Sequence, residues 1–296
     1  MLHSRLSLEY RQIVISLAHL EHYVHGMKFA RRIVILLCLI LPLPLAATAA
    51  DGWPSDVAKI EFITGWKTKT GSQMAALRVR LAPGWKTYWR APGETGVPPR
   101  FSWSGSRNLK TVLFHWPSPT VFDLNGTRTI GYENELVLPI EFFPLKDGEI
   151  MVKAEFELGL CRDVCLPVTG HLSARLEGIG LANPLISTSL KNRPEGPISA
   201  NIGRVGCSVE PIADGLRVTA EIEVQPLGKK EVAVIEFADQ TIWVSEAITN
   251  RATTYLVTTA DMVPPNGAPF LLDRSKVTIT LFGGGRAIEI PGCPSG

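Results

Sequence analysis

The sequence predicts an all-β protein built as two antiparallel β-sandwich domains, one over residues 51–182 and a second, smaller one over 198–296. Three observations predict it. Short apolar runs with period-two alternation recur along the chain, separated by Gly-, Pro- and Asp-containing turns, which is the punctuation of antiparallel sandwiches. Composition changes near residue 183: Trp53, Trp66, Trp85, Trp89, Trp103 and Trp116 precede it and only Trp243 follows. Arg193-Pro194-Glu195-Gly196-Pro197 then reads as part of a linker over 183–197.

The first fifty residues read as an upstream extension and an export signal. Met27-Lys28-Phe29-Ala30-Arg31-Arg32 is a basic start, Ile33 to Leu45 an apolar run, and Ala47-Thr48-Ala49 a small-residue cleavage site. The apolar run is short and interrupted by Pro42 and Pro44, so a cleaved signal is expected rather than a membrane span. Within the mature chain, Met74 to Leu81 is a strand that ends at the turn Ala82-Pro83-Gly84. Leu136 to Phe142 and Ile150 to Leu158 flank the turn Lys146-Asp147-Gly148. Asn183-Pro184 predicts the start of one short helix, because Asn caps well and Pro suits the first turn. In the second domain Leu216 to Val224 alternates cleanly. Val232 to Phe237, Thr241 to Val244, Thr253 to Thr258 and Val277 to Phe282 are further strands. Gly283-Gly284-Gly285-Arg286 is expected to be a hairpin turn, since a phosphate loop needs a following helix. Lys229-Lys230-Glu231 reads as a solvated turn; Asn125-Gly126-Thr127 fits the glycosylation pattern, but Asn-Gly is first a turn signal.

The formal charge of the chain is +2, and the five Lys/Arg against two Asp/Glu of residues 1–50 leave the remainder at −1. That balance offers nothing to nucleic acid or to an anionic membrane surface. Only His115 and His171 of the six histidines lie beyond the signal, too few for a histidine-rich metal centre.

Cysteine carries the chemistry. Cys161-Arg162-Asp163-Val164-Cys165 places two cysteines close together in an exported chain, ahead of Leu166-Pro167. A disulfide closing so short a loop removes little unfolded-state entropy, about 2 kcal/mol, and its sulfurs stay together when reduced. That suits a bond made and broken in thiol–disulfide exchange. The competing reading is a structural disulfide pinning a hairpin. Arg162 would favour a thiolate and Asp163 oppose it, which leaves the sign of the electrostatic effect open. Cys207 and Cys293 lie near the two ends of the second domain and read as a structural disulfide. By the same entropy model it stabilises by about 4–5 kcal/mol.

Pro83-Gly84-Trp85-Lys86-Thr87-Tyr88-Trp89, Gly131-Tyr132-Glu133, Leu138-Pro139-Ile140 and the segment from Gly159 through Cys161, Cys165 and Pro167 occur in that order between roughly Val57 and Leu176. With these residues the chain resembles the periplasmic N-terminal domain of the DsbD-type thiol:disulfide interchange proteins, including the related copper-sensitivity suppressor proteins. The resemblance implies an immunoglobulin-like β-sandwich over 51–182. It implies that Cys165 forms mixed disulfides and that Cys161 resolves them. A cap loop, here Pro117 to Asp123, is expected to shield the sulfurs with Phe122, and Tyr88 matches an aromatic near the site. The implied partners are a membrane electron-transfer protein or thioredoxin-like domain acting in trans as reductant, and a periplasmic thioredoxin-fold oxidoreductase or isomerase as recipient. No organic cofactor and no metal are required. Oxidative folding, cytochrome c maturation and copper tolerance all fit the family. Two features depart from it: only three residues separate the cysteines, fewer than in the best-known members, and neither a transmembrane nor a thioredoxin-like domain follows. The rival from another class is a non-catalytic periplasmic binding or adaptor module in which both pairs are structural disulfides. Copper handling by the two thiolates is opposed by the lack of a methionine- or histidine-rich run.

Overall fold

Four antiparallel sheets make up the computed structural model, which describes residues 56–296 apart from positions 94 and 125. The extension, the signal and Asn125 therefore lie outside the described residues. The first sandwich contains β1 (Ala58–Lys67), β2 (Gln73–Leu81), β3 (Lys86–Tyr88), β4 (Arg100–Ser102), β5 (Leu109–Phe114), β6 (Thr120–Leu124), β7 (Thr127–Glu133), β8 (Glu135–Pro144), β9 (Ile150–Cys161) and β10 (Cys165–Leu176). One sheet runs β1-β2-β8-β5; the other runs β10-β9-β3-β7-β6, with β4 also paired to β9.

β9 shows why these residues make strands. Ile150, Val152, Ala154, Phe156, Leu158 and Leu160 are all buried, while Lys153, Glu155 and Glu157 between them face solvent. Side chains alternate across a strand, so this order puts one apolar face on the core. There it meets Ala75, Leu77, Val79, Leu138, Ile140 and Phe142 of the opposite sheet. The other face of β2 is buried too, because α1 (Pro184–Lys191) lies on it and sets Ile186 against Met74 and Ala76. Asn183 caps this helix as expected, its side chain accepting from the Leu185 N–H at 2.9 Å. Among the described residues no helix is long and apolar enough to cross a membrane.

The second set of sheets uses β11 (Val205–Ile212), β12 (Gly215–Glu223), β13 (Val232–Phe237), β14 (Trp243–Val244), β15 (Ile248–Ala252), β16 (Tyr255–Val263), β17 (Val277–Gly283) and β18 (Arg286–Pro291). One sheet runs β11-β12-β16-β14, with β15 also on β16; the other runs β13-β17-β18. The expected glycine hairpin joins β17 to β18: Gly283 pairs with Arg286, and Gly284 and Gly285 have φ of 57° and 78°. Both turn residues are left-handed, the geometry a two-residue hairpin needs and glycine adopts without cost.

Two expectations are corrected. Residues 120–124 are not loop but strand β6, paired antiparallel to β7 so that the segment is one arm of a hairpin. Glu231 is not solvated: it is 8% exposed, ion-paired with Arg251, and accepts the Leu227 N–H at 2.8 Å. Its neighbours Lys229 and Lys230 are exposed, as a turn reading requires.

The two sandwiches share packing. Phe282 and Ala287 are buried in the same cluster as Trp85, Trp89 and Trp116. Trp89 is fully buried, with the Phe282 ring edge-on at 5.5 Å between centroids. Arg90 lies over the Trp89 ring and donates to Glu236 at 2.8 and 2.9 Å and to Glu289 at 2.5 Å.

Candidate functional site

Register assembles the site. β9 ends at Cys161 and β10 begins at Cys165, and the two cysteines are opposite one another in the ladder. They form a disulfide with a Cα–Cα distance of 4.1 Å, closed by the turn Arg162-Asp163-Val164. On the far side of β9, Lys86 of β3 pairs with Cys161, and farther across the sheet Tyr88 pairs with Gly131 of β7. Opposed residues project to one face of a sheet, and residues two apart share it. Cys161, Cys165, Lys86 and Tyr88 therefore stand on the same face, with Leu160, Thr87 and Tyr132 on the core side.

Tyr88 covers the bridge. Its hydroxyl lies 3.0 Å from Cys161 Sγ and 3.3 Å from Cys165 Sγ. The ring reaches this position because residue 159 has no side chain: a Cβ there would meet the Tyr88 ring and Val97 at 2.9 Å. Burial raises the Tyr88 phenol above its ordinary pKa, so it is a neutral donor at any physiological pH. A neutral O–H that donates to sulfur stabilises thiolate over thiol once the bridge is reduced.

The two sulfurs are not equivalent. Cys161 is 7% exposed, beneath Tyr88 and beside β3, whereas Cys165, at the start of edge strand β10, is exposed. Val164 beside it is exposed as well, giving the open sulfur an apolar neighbour. Arg162 offers less charge to the sulfurs than its position suggests. Its Nε is held by Asp163 at 3.0 Å, and its guanidinium lies 5.3 Å from the Trp85 ring.

Phe122, the expected shield, is on β6 opposite Thr129 and is half-buried. The Lys86 ammonium stands 3.8 Å over its ring, which connects Phe122 to the residue that pairs with Cys161. Where the stretch leaves the core, the buried Tyr132 hydroxyl donates to the Pro117 carbonyl at 2.8 Å. Lys86 and Gly159 were in view in the sequence as members of motifs, but nothing in a linear pattern places one opposite Cys161 and the other under Tyr88. The second cysteine pair, Cys207 and Cys293, forms the other disulfide and is buried on both sides.

Residues 56–177 match the family model described as thiol:disulfide interchange protein DsbD, N-terminal. Among solved structures the chain is similar to the N-terminal periplasmic domain of ScsB from Proteus mirabilis. The likeness has a TM-score of 0.60 at 25% identity and covers 82% of this chain and 96% of that one. It therefore extends well past the family match and into the second set of sheets. A marsupial T cell receptor chain also aligns, at 14% identity over 80% of this chain and 95% of that one, but its TM-score of 0.16 carries no weight. No curated protein matches the sequence.

Proposed function

We propose that this chain, whose residues 56–177 belong to the DsbD N-terminal family, is a periplasmic thiol–disulfide exchange protein working through Cys161 and Cys165. In the reduced state the Cys165 thiolate attacks one sulfur of a partner disulfide. A mixed disulfide forms and the partner's other sulfur leaves as thiolate. Cys161 then attacks Cys165 Sγ, closes the 161–165 bridge and expels the partner's second thiolate. Two electrons pass to the partner, and protons from solvent complete its dithiol. A thioredoxin-like dithiol, supplied in trans by a membrane-linked carrier, runs the same steps in reverse and restores the pair. The recipient is a thioredoxin-fold oxidoreductase or isomerase.

The observation that carries this reading is the unequal exposure of the two cysteines: Cys165 exposed at a strand edge, Cys161 buried under Tyr88. Attack by or on a bulky partner needs the first, and fast resolution needs the second held in place. Disulfide trapping tests it. Cys161→Ser is expected to accumulate mixed disulfides with a thioredoxin-fold partner through Cys165, and Cys165→Ser few. Equal trapping by both, or a 161–165 potential well below about −300 mV, would leave the structural-disulfide reading in its place.

A further inference from the structure

The hairpin β6–β7 is held from both ends of its charge pattern. Asp123 and Arg128 face each other across it, one position beyond the Phe122–Thr129 pair. Both are bonded to the second sandwich: Arg128 Nη1 lies 2.6 Å from Glu246 Oε1, and Lys230 Nζ lies 3.8 Å from Asp123 Oδ2. Glu246 is in the connection between β14 and β15, and Lys230 lies two residues before β13. On the opposite side of Phe122 stands Lys86, the partner of Cys161. The strand that carries Tyr88 is tied to the same sandwich, because Trp89 packs on Phe282 and Arg90 binds Glu236 and Glu289.

We propose that the second sandwich is a brace that sets access to the Cys161–Cys165 pair by holding the Phe122 hairpin, with Arg128 and Glu246 as its positioning residues. The proposal rests on Phe122 shielding the sulfurs. The Arg128–Glu246 contact is the shorter of the two, and its side chains are only 29% and 28% exposed, whereas Lys230 is 87% exposed. A partly sheltered pair competes less with water and salt than an open one. Release of the hairpin is a local opening, and the free sulfur reacts in proportion to the open fraction. Contacts with a second domain thereby enter the exchange rate without touching sulfur.

The experiment measures the alkylation rate of the reduced full mature chain by iodoacetamide, alongside its urea midpoint, in the parent protein and three variants. Glu246→Gln is expected to raise the rate by about two- to fivefold, the weight of one such ion pair. The exchanged pair Arg128→Glu with Glu246→Arg is expected to restore it. Phe122→Ala is expected to raise the rate at least as much as Glu246→Gln. High salt should speed the parent protein, a readout that needs no variant to fold, and should speed Glu246→Gln less, since only the Lys230–Asp123 pair remains there to be screened. A faster Phe122→Ala with an unaltered Glu246→Gln and no salt effect overturns the brace and keeps the shield. An unaltered Phe122→Ala overturns the shield itself, and the brace with it.

Discussion

One hydroxyl, that of Tyr88, reaches both sulfurs, and this fixes what its removal does. Tyr88→Phe keeps the ring and its packing on Gly159 but loses the donor, so the reduced pair holds its thiolate less well. The alkylation rate of Cys165 at neutral pH should fall by about three- to tenfold. If Tyr88 were only a shield, the smaller side chain would leave the rate unchanged or raise it. Gly159→Ala tests the same contact from below. The added methyl would meet the Tyr88 ring and Val97 at 2.9 Å, so one of them must shift. Loss of about 1–3 kcal/mol in urea unfolding is expected, as for an overpacked site, together with altered thiol reactivity. Retained stability and unchanged reactivity would mean that the ring does not depend on this gap.

Strands were legible where one face is buried and the other solvated. The alternation in β9 and β12 stands in the sequence because each side chain faces one environment or the other. β1 has no such signature in the sequence, and β10 shows only its start, at Leu166-Pro167-Val168 beyond the cysteine turn. β1 is an edge strand with intermediate burial along most of its length, and β10 interrupts its apolar residues with Pro167, Gly170 and His171. The site was legible as residues but not as an arrangement. Cys161, Cys165, Tyr88 and Phe122 stood out from spacing or resemblance, while the pairing of Lys86 with Cys161 joins residues too far apart for any local pattern. Glu231 was misread for the same reason, since its partner Arg251 comes from β15. The Arg251 hydrogen bond, helped by the Leu227 N–H, holds the Glu231 carboxyl below its ordinary pKa against the opposing effect of burial. A depressed carboxyl stabilises the fold above its unfolded pKa and loses that contribution as pH falls through the folded value. Glu231→Gln is therefore expected to cost about 2–3 kcal/mol near pH 7 and progressively less below about pH 4. Urea midpoints of the two proteins that stay equally far apart at low pH would contradict this.

At the scale of the molecule, the shared cluster around Trp89 and Phe282 predicts that the two sandwiches unfold together. Tryptophan fluorescence reports mainly the first of them, because only Trp243 lies in the second, whereas far-ultraviolet circular dichroism sees both. Their urea transitions should coincide, and two separated transitions would show that the interface does not couple them. The two disulfides differ in the opposite sense. Cys207 and Cys293 are 4% and 1% exposed, and Arg274 donates to the carbonyls of both, while Cys165 of the 161–165 bridge is exposed. A mild reductant acting on the folded chain freed of residues 1–50, which carry Cys38, should release two thiols per molecule, with four appearing only after denaturant is added. Four thiols without denaturant would contradict the difference in shelter. On the proposed exchange function, the sealed bridge would confine redox traffic to a single dithiol, so that each molecule would carry one electron pair. Exchange with a partner then proceeds one molecule for one, and an equilibrium titration follows the slope of a two-electron couple, about 30 mV per tenfold change in ratio.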